Sequence, residues 1–337
     1  MAKTIALIAC PNGLGHVRRM YVLGEQLVRH GWCVTVFAPS EKILKVGRAL
    51  GIRRKFFLND FDARFDIPSL RQGLSETLFW ERRLPSLDQF DIVVSDNLPE
   101  VLDLRTDAIL SGNFLWHQVL SDIPNCYRGR AGKLIKEHRP PILSYGGFSI
   151  IDKVAGVQVL DCAIPAIEDD LDLEVNQKNS LLVTCGTTGN IKAQFKEFIL
   201  DLVMTGIEPF TKVFVEPGLL ADFNYSGFYA ADFSIKMFSS VGAIIGRPGF
   251  GAITDSIYCG AKFFAVFEEK NLEMKKNAEL LQKKGLGGSY STADQAWSEA
   301  KKFAMDEHQQ GIFSHNRMEI VRLNRKLPTV LEIVEAR

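Results

Sequence analysis

Three short stretches carry the residue types that do chemistry. The first, Pro11-Asn12-Gly13-Leu14-Gly15-His16-Val17-Arg18-Arg19, sets an imidazole directly behind two glycines. Glycines two apart let a chain turn tightly and leave helix-start amides open to an anionic or sugar oxygen. Histidine is the side chain best suited to proton transfer near neutral pH. Gly13, Gly15 and Arg18 are therefore candidate substrate contacts and His16 a candidate general base. The competing reading makes His16 a cap or packing residue at the turn. A dinucleotide fingerprint would want a third glycine or alanine where Arg18 stands, which disfavours NAD.

The second stretch is Gly246-Arg247-Pro248-Gly249-Phe250-Gly251-Ala252-Ile253-Thr254-Asp255. Amides at a helix start around Gly249, Phe250 and Gly251 carry partial positive charge that suits a diphosphate, with Arg247 beside them. Asp255, about one turn on, can accept from the two hydroxyls of a ribose; alternatively it offsets the helix dipole. The third stretch, Cys185-Gly186-Thr187-Thr188-Gly189-Asn190, offers amides and hydroxyls for a phosphate through Gly186, Thr187, Thr188 and Asn190, or is an ordinary strand-to-helix turn. In the first half, Asp96, Asn113 and His117 follow apolar runs, where strand ends would present them to a ligand; Asp96 is the second catalytic candidate. A turn cap for Asp96 and packing for Trp116 and His117 are the alternatives.

These residues need elements to hold them. Apolar runs of strand length at 4–9, 33–37, 92–95 and 108–111, with helical patterns between them, predict a parallel sheet covered by helices. A second series at 180–185, 211–215, 243–246 and 262–267 repeats the design. Between the two lies a stretch, 153–173, that reads as a linker, with Pro165 and the acidic Glu168-Asp169-Asp170. The expected fold is α/β, with two Rossmann-like doubly wound domains, 1–160 and 161–337, facing a central cleft. Pro328 should break the last helical stretch, 316–335, which could cross back to the first domain.

A chain of 337 residues with 46% hydrophobic and 24% charged residues has apolar content for two cores without disulfides or metals. Forty basic residues balance forty acidic ones, so no global field favours nucleic acid or an anionic membrane. Six scattered cysteines form no Cys-x-x-Cys pair, and no metal-ligand spacing occurs. The apolar segment 4–10 is far shorter than the roughly 20 residues of a membrane span and lacks the layout of a signal peptide. No cofactor, metal or integral membrane segment is expected, and the cytoplasm, including the inner membrane face, is the expected location.

Taken together, these motifs resemble the GT-B glycosyltransferases, in particular the branch of the N-acetylglucosaminyltransferase of lipid II synthesis. Gly13-x-Gly15-His16 is similar to that branch's first-domain loop. Gly246-Arg247-x-Gly249 through Asp255, with Tyr258-Cys259-Gly260-Ala261-Lys262, is similar to its donor-binding helix. The resemblance implies metal-independent transfer of a sugar from a nucleoside diphosphate, a UDP-sugar foremost, to a hydroxyl of a sugar or small-molecule acceptor. It implies that Asp255, a glutamate in the family, holds the donor ribose and that Glu269 and Asn271 stand where the family holds the donor sugar. Gly-x-Gly-His-x-x-Arg also resembles the loop of a nucleotide-sugar hydrolase of pseudaminic acid synthesis, which implies a hydrolase as the alternative. A non-catalytic nucleotide-sugar-binding subunit is a third reading, and the intact His16 and Asp255 argue against it.

Overall fold

The computed structural model describes residues 2–165, 179–186, 190–220 and 224–336. It divides into two compact units: the first comprises residues 1–48, 52–167 and 324–337, the second the remainder. Each unit is built on one parallel sheet. The first contains β1 (Thr4–Ile8), β2 (Cys33–Ala38), β3 (Phe57–Asp60), β4 (Ile92–Asp96), β5 (Ile109–Ser111), β6 (Ile142–Tyr145) and β7 (Val159–Cys162), in the order β3-β2-β1-β4-β5-β6-β7. The second contains β8 (Ser180–Thr184), β9 (Lys212–Val215), β10 (Phe228–Ala230), β11 (Val241–Gly246), β12 (Lys262–Val266) and β13 (Gly287–Tyr290), ordered β10-β9-β8-β11-β12-β13.

Both sheets therefore reverse direction next to their first strand, between β1 and β4 and between β8 and β11. At such a reversal the loops beyond the carboxyl ends diverge to opposite faces and leave a crevice, the place where doubly wound sheets bind ligands. The central strands are apolar on both faces because helices cover both: Ile5 to Ile8 and Leu181 to Val183 are all buried.

One feature differs from the sequence reading. The stretch 153–173, read as a linker, includes β7, which pairs with β6 from Ile142↔Val159 to Tyr145↔Cys162. As a sheet-edge strand with exposed Val159 and polar Gln158 and Asp161 around it, β7 lacks the doubly apolar pattern of the inner strands. The first unit thus runs past residue 160, to 167. Near the carboxyl terminus, Pro328 lies in a break between the helices Glu307–Asn324 and Val330–Glu335, and Thr329 restarts the chain with a reciprocal capping box to Glu332. This segment belongs to the first unit: Ala163 N donates to Pro328 O at 2.9 Å and Ile164 N to Asn324 Oδ1 at 2.8 Å. None of the described helices is long and apolar enough to cross a membrane.

Glu100 is fully buried in the first unit, and its Oε2 accepts from Trp80 Nε1 at 2.9 Å. Burial raises its pKa above the ordinary 4.5, against the lowering effect of the Trp80 bond. The folded state therefore keeps this proton to higher pH than the unfolded chain, and stability falls as pH climbs above about 4.5. Glu100→Gln, neutral throughout, is expected to melt higher than the parent at pH 8, with the difference shrinking towards pH 4. Thermal melts of both proteins across that range check the sign.

Candidate functional site

The first crevice is built from β1, β4 and the helix Leu14–Arg29. Gly13 caps that helix at φ 104°, a conformation that a residue with Cβ adopts only under strain, so the tight turn after β1 needs glycine there. Val17, Met20, Tyr21, Leu23 and Leu27 bury the helix against the sheet. That stripe fixes the register of His16 and Arg19, which are three residues apart and so stand on neighbouring positions of one face. Asp96 ends β4, one residue beyond the Ile8↔Ser95 pair, which brings it beside the loop after β1.

The three side chains meet. His16 Nδ1 lies 2.8 Å from Asp96 Oδ2, and Arg19 Nε donates to Asp96 Oδ1 at 3.1 Å, with Arg19 Nη2 on the same oxygen. Burial works to raise the pKa of the fully buried Asp96 carboxyl, yet the Arg19 and His16 charges and hydrogen bonds outweigh it and hold the carboxyl below its ordinary value. Asp96 is thus an ionised, acceptor-only group, so the proton of a neutral His16 sits on Nδ1 and leaves Nε2 with a free lone pair. Phe114 and Trp116, both buried, wall the imidazole at ring-centroid distances of 6.1 and 5.8 Å. The arrangement can accept a proton from a hydroxyl or water at Nε2 and stabilise the resulting imidazolium through Asp96.

Arg19 is the residue that the sequence reading missed. It named Arg18 as the binding arginine, but the third residue after His16 in Gly-x-Gly-His-x-x-Arg is Arg19. Helical spacing carries the signal: i and i+3 share a face, whereas His16 and Arg18, at i and i+2, do not. Arg18 is half-buried and Gly15 exposed on the same turn. Asn113 is buried with its amide spent on the neighbouring strand, Tyr145 N donating to Oδ1 at 2.7 Å and Nδ2 to Tyr145 O at 3.4 Å, so its polar atoms hold the sheet. His117 is half-buried, and burial, with the charge of Arg128, lowers its pKa to about 4 against the pull of Asp152, so its ring is neutral at physiological pH.

In the second unit, β8 and β11 approach so closely that a Cβ on Gly246 would lie 2.4 Å from Thr184 O. Past that point, Gly249 caps the helix Phe250–Cys259 without a side-chain bond, so its first-turn amides lack intrahelical partners. Asn277 Nδ2 holds the turn through Pro248 O at 2.9 Å. Asp255 stands half-buried in the second turn of the helix, and Phe250 is buried at its start. The buried Arg317 fastens the other end by donating to Ile257 O and Tyr258 O at 2.5 and 2.8 Å.

The loop after β8 departs from expectation. Its Cys185 and Gly186 amides, both at 2.8 Å, and Thr184 Oγ1 at 2.7 Å converge on Oε2 of Glu216, the residue after β9. An internal carboxylate thus occupies amides that the sequence reading assigned to a phosphate. Arg247 and Lys192 flank the same loop: a Cβ on Gly186 would lie 3.9 Å from Arg247 Nη1, and one on Gly218 lies 3.4 Å from Lys192 Nζ. Burial, then Glu216, push the Cys185 thiol up to about 11, against the lowering effect of these two cations. Lys192 and Glu216 were not foreseen, because they reach the loop from elements with no motif of their own. Thr187 and Thr188 lie outside the described residues, as does the side chain of Asn190. Glu269 is exposed and pairs with Lys275 at 3.3 Å, and Asn271 caps the helix Leu272–Lys283 by accepting from Met274 N at 3.2 Å. Among the described residues, no group of three or more His, Cys, Asp or Glu could hold a metal ion.

No family model matches the chain, and no curated protein matches it by sequence. Solved structures do match it. One titled LpCGTa in complex with UDP aligns at 15% identity and TM-score 0.64 over 100% of this chain and 99% of its own. The spinosyn forosaminyltransferase SpnP aligns at 14% identity and TM-score 0.63 over 100% and 98%. The glycosyltransferase SsfS6 of Streptomyces sp. SF2575, complexed with thymidine diphosphate, aligns at 16% identity and TM-score 0.58 over 99% of both chains. With two parallel doubly wound sheets and full-length likeness to these proteins, the chain has the GT-B fold.

Proposed function

We propose that the chain is a glycosyltransferase that moves a sugar from a pyrimidine nucleoside diphosphate, a UDP-sugar foremost, to a hydroxyl of a sugar or small-molecule acceptor. The observation that carries this reading is the His16–Asp96 pair at the reversal point of the first sheet, where a base is buried on one side and oriented by an ionised carboxylate. The fold, and the uridine and thymidine diphosphates in the titles of two similar structures, support the donor class.

In this reading the first domain presents the acceptor, whose oxygen attacks the anomeric carbon while its proton passes to His16 Nε2. The bond from that carbon to the diphosphate breaks with its electron pair leaving on the phosphate oxygen. The amides opening the helix Phe250–Cys259, with Arg247 and Lys192, offset the charge that develops there. Asp255 holds the ribose hydroxyls. The helix and loop motifs favour the branch of the lipid II N-acetylglucosaminyltransferase; the arginine three residues after His16 equally suits a hydrolase, in which water replaces the acceptor.

Calorimetric titration with UDP, GDP, CDP and dTDP, followed by sugar nucleotides with and without acceptors while diphosphate release is measured, tests the proposal. Tight binding of one nucleotide and release accelerated by an acceptor support transfer; release into water at the same rate without acceptor assigns the hydrolase. No binding at millimolar nucleotide sinks both. Asp255→Ala is expected to weaken the bound nucleotide by about 10–100-fold, the loss of charge-assisted hydrogen bonds to the ribose. An unchanged affinity removes Asp255 from the site.

A further inference from the structure

We propose that Arg19 is a positioning residue that orients His16 through Asp96 for proton transfer. The inference rests on the reading of His16 as the base and adds a third member to the pair. Arg19 presents two nitrogens to Asp96 Oδ1, while His16 takes Oδ2. A guanidinium fork on a carboxylate fixes the carboxylate plane, which a single point charge does not. The direction of the remaining Asp96 oxygen, and hence the tilt of the imidazole bonded to it, follows from Arg19.

Arg19 is itself held from the far side. Its guanidinium lies 5.3 Å from the centre of the Tyr145 ring on β6, and the Tyr145 hydroxyl is 2.7 Å from Ser111 Oγ on β5. Burial pushes the pKa of that hydroxyl well up, so the ring stays neutral beneath the cation. The chain Ser111, Tyr145, Arg19, Asp96, His16 therefore runs across three strands and one helix.

The test compares wild type with Arg19→Met and Arg19→Lys. Diphosphate release is measured for each, and proton NMR without substrate follows the His16 Nδ1–H signal. In Arg19→Lys, which keeps the charge and loses the fork, kcat is expected to fall at least tenfold while KM changes little, and the Nδ1–H signal to shift or broaden. Arg19→Met should lose at least as much kcat. A folded Arg19→Lys or Arg19→Met protein with full kcat overturns the proposal. Should wild type release no diphosphate, the glycosyltransferase reading fails, and an Nδ1–H signal unchanged in a folded Arg19→Lys protein then overturns the positioning role by itself.

Discussion

Replacing His16 with alanine is expected to lower acceptor-dependent diphosphate release by about 10²–10⁴-fold, the range that a positioned general base contributes. The loss should fall on kcat, with donor KM nearly unchanged, because the imidazole acts on the hydroxyl proton in the chemical step and makes no contact that binds the nucleotide in the ground state. Folding should survive, since His16 sits at a helix start with its ring only partly covered and its removal leaves Asp96 paired with Arg19. Undiminished turnover in a folded His16→Ala protein would remove the general base from the mechanism, whichever reaction is catalysed.

The second large effect is on stability. Asp96→Ala removes the carboxylate that Arg19 and His16 share, and breaking a buried ion pair from one side costs about 3–5 kcal/mol. Urea denaturation of the variant should show that loss as a lower midpoint with little change in slope. The double variant Asp96→Ala/Arg19→Met should recover a substantial part of it, because the buried cation that lost its carboxylate is gone. If the double variant is the sum of the two single losses, the two residues are not coupled in the folded protein. Rate is lost in both proteins, since His16 then has nothing to select its Nδ1–H tautomer.

The parallel architecture of both units was legible because β1, β2, β4, β8, β11 and β12 are buried on both faces and so read as unbroken apolar runs. The strands that escaped notice lie at or near sheet edges. β13 is Gly287-Gly288-Ser289-Tyr290, with nothing apolar to alternate, and β3 exposes Phe57 to solvent. His16 could be singled out because it follows two glycines at a helix start, and Asp96 because a polar residue closing an apolar strand stands at the carboxyl end of the sheet. Their pairing could not, since 80 residues separate them and only the strand order β1-β4 makes them neighbours. Glu216 is the sharper case: one carboxylate oxygen meets three donors 30 to 32 residues away, and a contact of side chain to backbone leaves no periodic trace. Asn113 and Asn271 stood in the right places by sequence, yet each spends its amide on backbone that the sequence does not show as near.

Residues 324–336 complete the first unit although all of the second is made before them. In synthesis from the amino terminus, the second unit is complete in sequence while the first still lacks the piece that docks on Ala163 and Ile164. The half that starts first is finished last. A chain ending at residue 323 should therefore yield a protease-resistant second unit joined to a first unit with an open seam.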